Sequence, residues 1–117
     1  MSEFKSDIEK KIALATMSVD DEIVFAGAPG PTQVTRKSWR ENTSQMLKVT
    51  VFTEGGPGYA DSAFQFSKAQ AESYMKVGDT YTQETDDGDV DYRIISKTWT
   101  FVDGGTLKVQ IGYEKKH

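Results

Sequence analysis

The clearest alternation of apolar and polar positions lies near the C-terminus. Leu107, Val109 and Ile111 alternate with Thr106, Lys108 and Gln110. A period of two puts three aliphatics on one face of a strand. Upstream, a long strand is predicted from Val90 to about Val102, carrying Tyr92, Ile94, Ile95, Thr98, Trp99, Thr100 and Phe101. Asp103-Gly104-Gly105 joins the two as a hairpin, because glycine takes the positive φ of such a turn without steric cost.

The same reading runs back along the chain. Phe4, Ile8, Ile12 and Ala15 recur at helical spacing and predict a helix from Ser2 to about Met17, with Ser2 or Ser6 as cap. A helix of that length does not stand alone in water. It docks on its own sheet or serves as an arm for a partner. Glu22–Ala26 reads as a first strand, and Gly27-Ala28-Pro29-Gly30-Pro31 breaks any regular element. Thr32–Arg40 alternates weakly. Its Trp39 stands among Lys37, Ser38 and Arg40, and is either a covered sheet aromatic or an exposed interface anchor. In Gln45–Thr53, Leu47, Val49 and Val51 share one face. Residues 54–61 hold three glycines and a proline and read as a long loop ending near Tyr59. Phe64 and Phe66 sit on a short strand. Ser67 and Gln70 then have the spacing of a capping box for a helix over residues 68–74, with Ala71, Tyr74 and Met75 inward. Val77-Gly78-Asp79 leads into a strand at Thr80–Thr82.

The fold expected is mainly β: a compact β-barrel or sandwich with an N-terminal helix and one short helix. Residues 1–19 form the helical arm, 20–113 the barrel and 114–117 a tail. Val49, Val51, Phe64, Phe66, Ile94, Leu107, Val109 and Ile111 are expected in its core.

Composition narrows the function. The net charge of −4 and pI near 4.9 disfavour a dedicated nucleic-acid binder, which needs a basic face for phosphates. There is no cysteine, so no disulfide, zinc-thiolate site or thiol nucleophile forms. No run approaches the roughly 20 apolar residues of a membrane span, and no signal-peptide pattern opens the chain. A soluble protein made in the cytoplasm is expected. The only histidine is His117, so no histidine-based triad or metal cluster is built. The acid pairs Asp20-Asp21 and Asp86-Asp87 sit in hydrophilic turns, where nothing raises a pKa for general acid work. No enzyme activity and no cofactor are expected. Glu84, Asp86, Asp87, Asp89 and Asp91 crowd one turn without the spacing of a calcium loop. That turn reads as a solvated hairpin, with a weak cation site or an acidic patch for a basic partner as the alternatives.

A helix, then Val77-Gly78-Asp79-Thr80-Tyr81-Thr82, Tyr92-Arg93-Ile94-Ile95 and Asp103-Gly104-Gly105-Thr106-Leu107-Lys108-Val109-Gln110-Ile111-Gly112 in that order resemble the small lambda-type head–tail joining (stopper or connector) proteins of tailed phages. The likeness covers residues 62–113, and residues 1–61 in outline. Lys115-Lys116 and the acidic turn have no counterpart in it. It implies a structural protein of the virion, assembled in the host cytoplasm. Such a protein joins the portal or adaptor of a DNA-filled head to the tail and helps retain the genome. It implies a ring on assembly, a monomer in isolation, and neither sequence-specific nucleic-acid binding nor a membrane. The contact residues expected are Phe4, Ile8 and Ile12; Pro29, Pro31 and Trp39; Gly55, Gly56, Pro57 and Tyr59; and Tyr113 in the terminal segment. A tail-completion or tail-terminator protein, and a small β-barrel binding a ligand or peptide, are the alternatives.

Overall fold

The computed structural model describes residues 5–27, 29–54, 59–60 and 64–116. The chain runs α1 (Lys10–Thr16), β1 (Glu22–Ile23), β2 (Thr32–Glu41), β3 (Met46–Thr53), β4 (Tyr59–Ala60), β5 (Phe66–Ser67), α2 (Lys68–Tyr74), β6 (Thr80–Thr85), β7 (Gly88–Asp103) and β8 (Thr106–Lys115). The strands form one curled, barrel-like sheet in the order β4-β3-β2-β6-β7-β8, with β1 added to β2 and β5 to β3. All neighbours are antiparallel except β2 and β6, which run parallel from Ser38↔Thr80 to Glu41↔Gln83. The fold is mainly β, as the alternation predicts.

The core centres on strand β3, where the alternation of Leu47, Val49 and Val51 is complete, and not on the C-terminal strand. Leu47, Val49 and Val51 of β3 are buried with Val34 and Trp39 of β2, Phe66, Tyr81 and Ile94. Each such side chain contributes about 1.5–3 kcal/mol by leaving water. Trp39 and Phe66 meet edge to face at 5.7 Å, and Phe66 and Tyr74 at 5.9 Å. Helix α2 starts where the capping box places it. Gln70 N–H donates to Ser67 Oγ at 3.2 Å, and Ser67 N–H donates to Gln70 Oε1 at 3.3 Å. Ala71 and Met75 are buried on its inner side.

Several expectations are corrected. The N-terminal helix begins at Lys10, so Ile8 lies ahead of it and Ser6 caps nothing; Ser2 and Phe4 fall outside the described residues. Helix α1 has no side-chain cap and is held through Leu14 and Ala15, so it extends only as far as those contacts support it. Strand β1 ends at Ile23, and Val24 and Phe25 are exposed. Its partner cannot extend the ladder past Thr32, because Pro31 has no N–H to give. The predicted loop over 54–61 carries a short strand, with Tyr59 and Ala60 pairing Val51 and Thr50. Strand β8 reaches Lys115, so Glu114 and Lys115 of the predicted tail belong to the sheet. The β7–β8 turn forms, but neither Gly104 nor Gly105 is in the left-handed region. The Asp103 carboxylate braces it by accepting Gly105 N–H at 3.1 Å, and β7 bulges between Phe101 and Asp103.

Candidate interaction surface

Strand β7 is sixteen residues long, but β6 accompanies it only from Gly88 to Arg93. Ile94 still exchanges backbone hydrogen bonds with Gly78 and Asp79, and beyond it β7 pairs with β8 alone, from Ser96↔Gly112 out to Asp103↔Thr106. A two-stranded extension of about 25 Å therefore leaves the sheet.

Its two faces differ. Register sets Trp99 opposite Val109, Phe101 opposite Leu107 and Lys97 opposite Ile111, all on one face. Thr98, Thr100, Lys108 and Gln110 take the other. The apolar face continues the core at Ile111, which is buried, and then runs out into solvent. Trp99 is 52% exposed and Phe101 81% exposed; Leu107 is also exposed and Val109 half-buried. With aromatics burying about 150–250 Å² each when covered, these four leave roughly 400 Å² of apolar surface uncovered.

The base of the extension is fixed. Lys97 Nζ donates to Ser73 O at 2.7 Å and Met75 O at 2.8 Å, closing the C-terminal carbonyls of α2. The same ammonium lies 5.0 Å from the Trp99 ring. Burial lowers the Lys97 pKa, and the Lys76 charge lowers it further. A bulge at Ile95 lets β8 continue, and Gly112 sits against it: a Cβ there would fall 2.1 Å from Ser96 Oγ.

A second polar cluster holds the body beneath. Lys37 Nζ donates to Ala15 O and to Tyr74 O (3.1 Å), so one buried ammonium closes the ends of both helices. Asp79 Oδ2 lies 3.6 Å from it and accepts Trp39 Nε1–H at 2.9 Å and Lys76 N–H at 3.0 Å. Burial brings Lys37 down to about 8, against the pull of Asp79. Burial raises the Asp79 carboxyl, against the pull of Lys37. Tyr81, Tyr92 and Tyr113 stack with centroids 5.1–5.9 Å apart, and burial pushes the Tyr113 phenol up to about 12.

The predicted contact residues that the structure describes do not gather into one surface. Trp39 is fully buried, which corrects its reading as an exposed anchor: its ring packs on Phe66 and its N–H is spent on Asp79. Tyr113 is half-buried in the tyrosine stack and is not a free terminal contact. Ile8, Pro29 and Pro31 are exposed, and Ile12 is half-buried on α1. Tyr59 lies on β4, while Phe4, Gly55, Gly56 and Pro57 lie outside the described residues. Leu107, expected in the core, belongs to the uncovered face instead, while Val109 is half-buried and packs against the edge of the core. Trp99 and Phe101 complete that face and were not among the predicted contacts. Two aromatics alternating with threonine just before a turn were the available signal.

The acidic turn is the tip of the β6–β7 hairpin, as predicted, with Gly88 at φ +114°. Its charge is answered across the sheet by Arg40, which donates to Glu84 at 2.8 Å and Asp89 at 2.9 Å. Among the described residues no group of three or more acids or histidines is placed to hold a metal ion. Ala13, Leu14, Met17 and Ile23, with Lys10 and Phe25, line a shallow apolar groove of about 210 Å³. No helix of the described residues is long and apolar enough to cross a membrane. No family model, no curated protein and no solved structure matches the chain.

Proposed function

We propose that this chain is a structural virion-assembly protein. It joins a phage head, at its portal or adaptor, to the tail and helps retain the packaged DNA. The observation that carries the reading is the β7–β8 extension: a pinned two-stranded hairpin whose Trp99, Phe101 and Leu107 are left uncovered. An isolated hairpin gains little from such residues in water. A partner that covers them gains a tryptophan and a phenylalanine anchor, the residue types that dominate interface energetics. The resemblance of its motif order to that of head–tail joining proteins suggests the kind of partner.

The groove beside α1 is the observation that favours a ligand-binding barrel. At about 210 Å³ it is smaller than the roughly 300–1,000 Å³ of small-molecule sites, and it is shallow. The docking role is therefore preferred.

The test is complementation in vitro. DNA-filled heads lacking their joining protein are mixed with this chain and with free tails, and infectious particles are counted. Restored infectivity is expected. Binding to isolated tail tubes and not to heads would move the role to tail completion. Binding to neither would end the reading.

A further inference from the structure

Strand β8 is the last strand of the sheet, and among the described residues no strand lies along its outer edge. The edge is ten residues long, without proline, and the bulges of the β7–β8 ladder fall in β7. Of the devices that blunt an edge, proline, shortness and bulges are missing, and the charges Lys108, Glu114 and Lys115 remain. Lys116 N–H donates to Asp91 O at 2.9 Å, which sets the alternation of the ladder. Even-numbered residues of β8 bond inward to β7. The N–H and C=O groups of Leu107, Val109, Ile111, Tyr113 and Lys115 point outward.

We propose that two copies of this chain pair antiparallel along β8 about a two-fold axis at Ile111, making one continuous sheet. The argument is the sequence of the edge read against itself. With Ile111 on the axis, Lys108 of each copy faces Glu114 of the other, and Val109 of each faces Tyr113 of the other. Residues with outward N–H and C=O groups then pair with one another, giving about ten interchain hydrogen bonds. Lys108 and Glu114 fall at the non-hydrogen-bonded positions, where side chains approach most closely. Other axes lose this match. An axis at Gly112 sets Lys108 against Lys116, and one at Gln110 sets Lys108 against Gly112 and Glu114 against Thr106. Both Lys108 and Glu114 are exposed, so the charges are available. The apolar stripe Leu107, Val109, Ile111 and Tyr113 faces the same side in both copies, so the two stripes lie side by side across the axis. The contact is isologous and closes at two. It describes the free chain and does not rest on the head–tail reading.

The natural chain has no cysteine, so a cross-link reports the register directly. The double variant K108C/E114C places its paired Cα atoms about 4.5 Å apart across the axis, within disulfide range. Mild oxidation is expected to give a covalent dimer of twice the 13.0 kDa chain mass. K108C alone is expected to give none, because the two copies of that position lie about 20 Å apart. In sedimentation over a dilution series the natural chain dimerises. K108E weakens the dimer about tenfold, since it sets like charges opposite each other twice. K108E/E114K regains the loss; it is read against K108E, because a lysine at 114 also neighbours Arg93. A natural chain that stays monomeric throughout overturns the proposal. So does a dimer indifferent to K108E, or efficient cross-linking by K108C alone.

Discussion

The chain carries two tryptophans, and they mark two regions built on different terms. Trp39 is fully buried in the body, ringed by Phe66 and hydrogen-bonded to Asp79. Trp99 stands on the hairpin extension, half exposed, with a lysine over its ring and a valine across the strand. Each also has a lysine two residues before it that closes helix carbonyls: Lys37 in the body and Lys97 at the base of the extension. The same residue pair, lysine then tryptophan, thus serves stability in one place and presents a surface in the other. Only coverage differs. Around Trp39 the sheet and both helices close over the face; around Trp99 nothing among the described residues does.

Substitutions separate the two regions. The largest effect is expected from the body. Trp39→Ala removes a packed ring and leaves Asp79 and Lys37 with one partner fewer, at a cost of about 3–5 kcal/mol. Lys37→Ala leaves the Asp79 carboxylate buried without its cation and is expected to cost about as much, ~3–5 kcal/mol. Urea denaturation reads both; a loss below about 1 kcal/mol for either would break the comparison on the body's side.

The pH dependence sharpens it. Folded Lys37 releases its proton near 8, whereas the unfolded chain keeps it to about 10.5. Between these values the unfolded state binds more protons, so this group's contribution to stability rises with pH. The natural chain is expected to gain about 1–2 kcal/mol on Lys37→Met between pH 8 and pH 10. Melting curves of the two proteins at both values check the sign; a gap that narrows with pH contradicts it. The window stops at pH 10 because the phenols then intervene. Tyr113 holds its proton to about 12 when folded, and its contribution falls as pH rises above 10.

A smaller effect is expected at the body's turns. Gly78 (φ +98°) lies in the turn before β6 with open space around it. Gly78→Ala should cost about 1 kcal/mol from backbone strain alone. The smallest effect on stability belongs to the extension: Trp99→Ser should change it by about 0.5 kcal/mol or less, as surface substitutions do.

Much of this fold was legible in the sequence. Local signals sufficed for α2, whose cap lies within four residues, for β3 and for the β6–β7 and β7–β8 hairpins. Periodicity names the face of a strand but not whether anything covers it. Leu107, Val109 and Ile111 alternate identically, yet Ile111 is buried, Val109 is half-buried against the core and Leu107 is exposed, so burial fades along one face that periodicity reads as uniform. Trp39 in polar company was ambiguous for the opposite reason. The neighbours that bury it, Phe66 and Asp79, come from elsewhere in the chain, and so do the carbonyls that satisfy Lys37. Arg40 answers the acidic turn only because β2 and β6 run parallel, a pairing no local pattern announces. The stripe Phe4, Ile8 and Ile12 has helical spacing, but spacing alone does not hold a helix where packing ends.

The central claim is that the body carries the fold and the extension carries the docking. The most direct measurement is one double variant, Trp99→Ser with Phe101→Ser, taken through a thermal melt and the head–tail complementation side by side. The account predicts a melt close to the natural chain's and infectivity reduced at least about a hundredfold, the loss of two aromatic anchors worth about 1.5 kcal/mol or more each. A folded variant that joins heads to tails as well as the natural chain would contradict it.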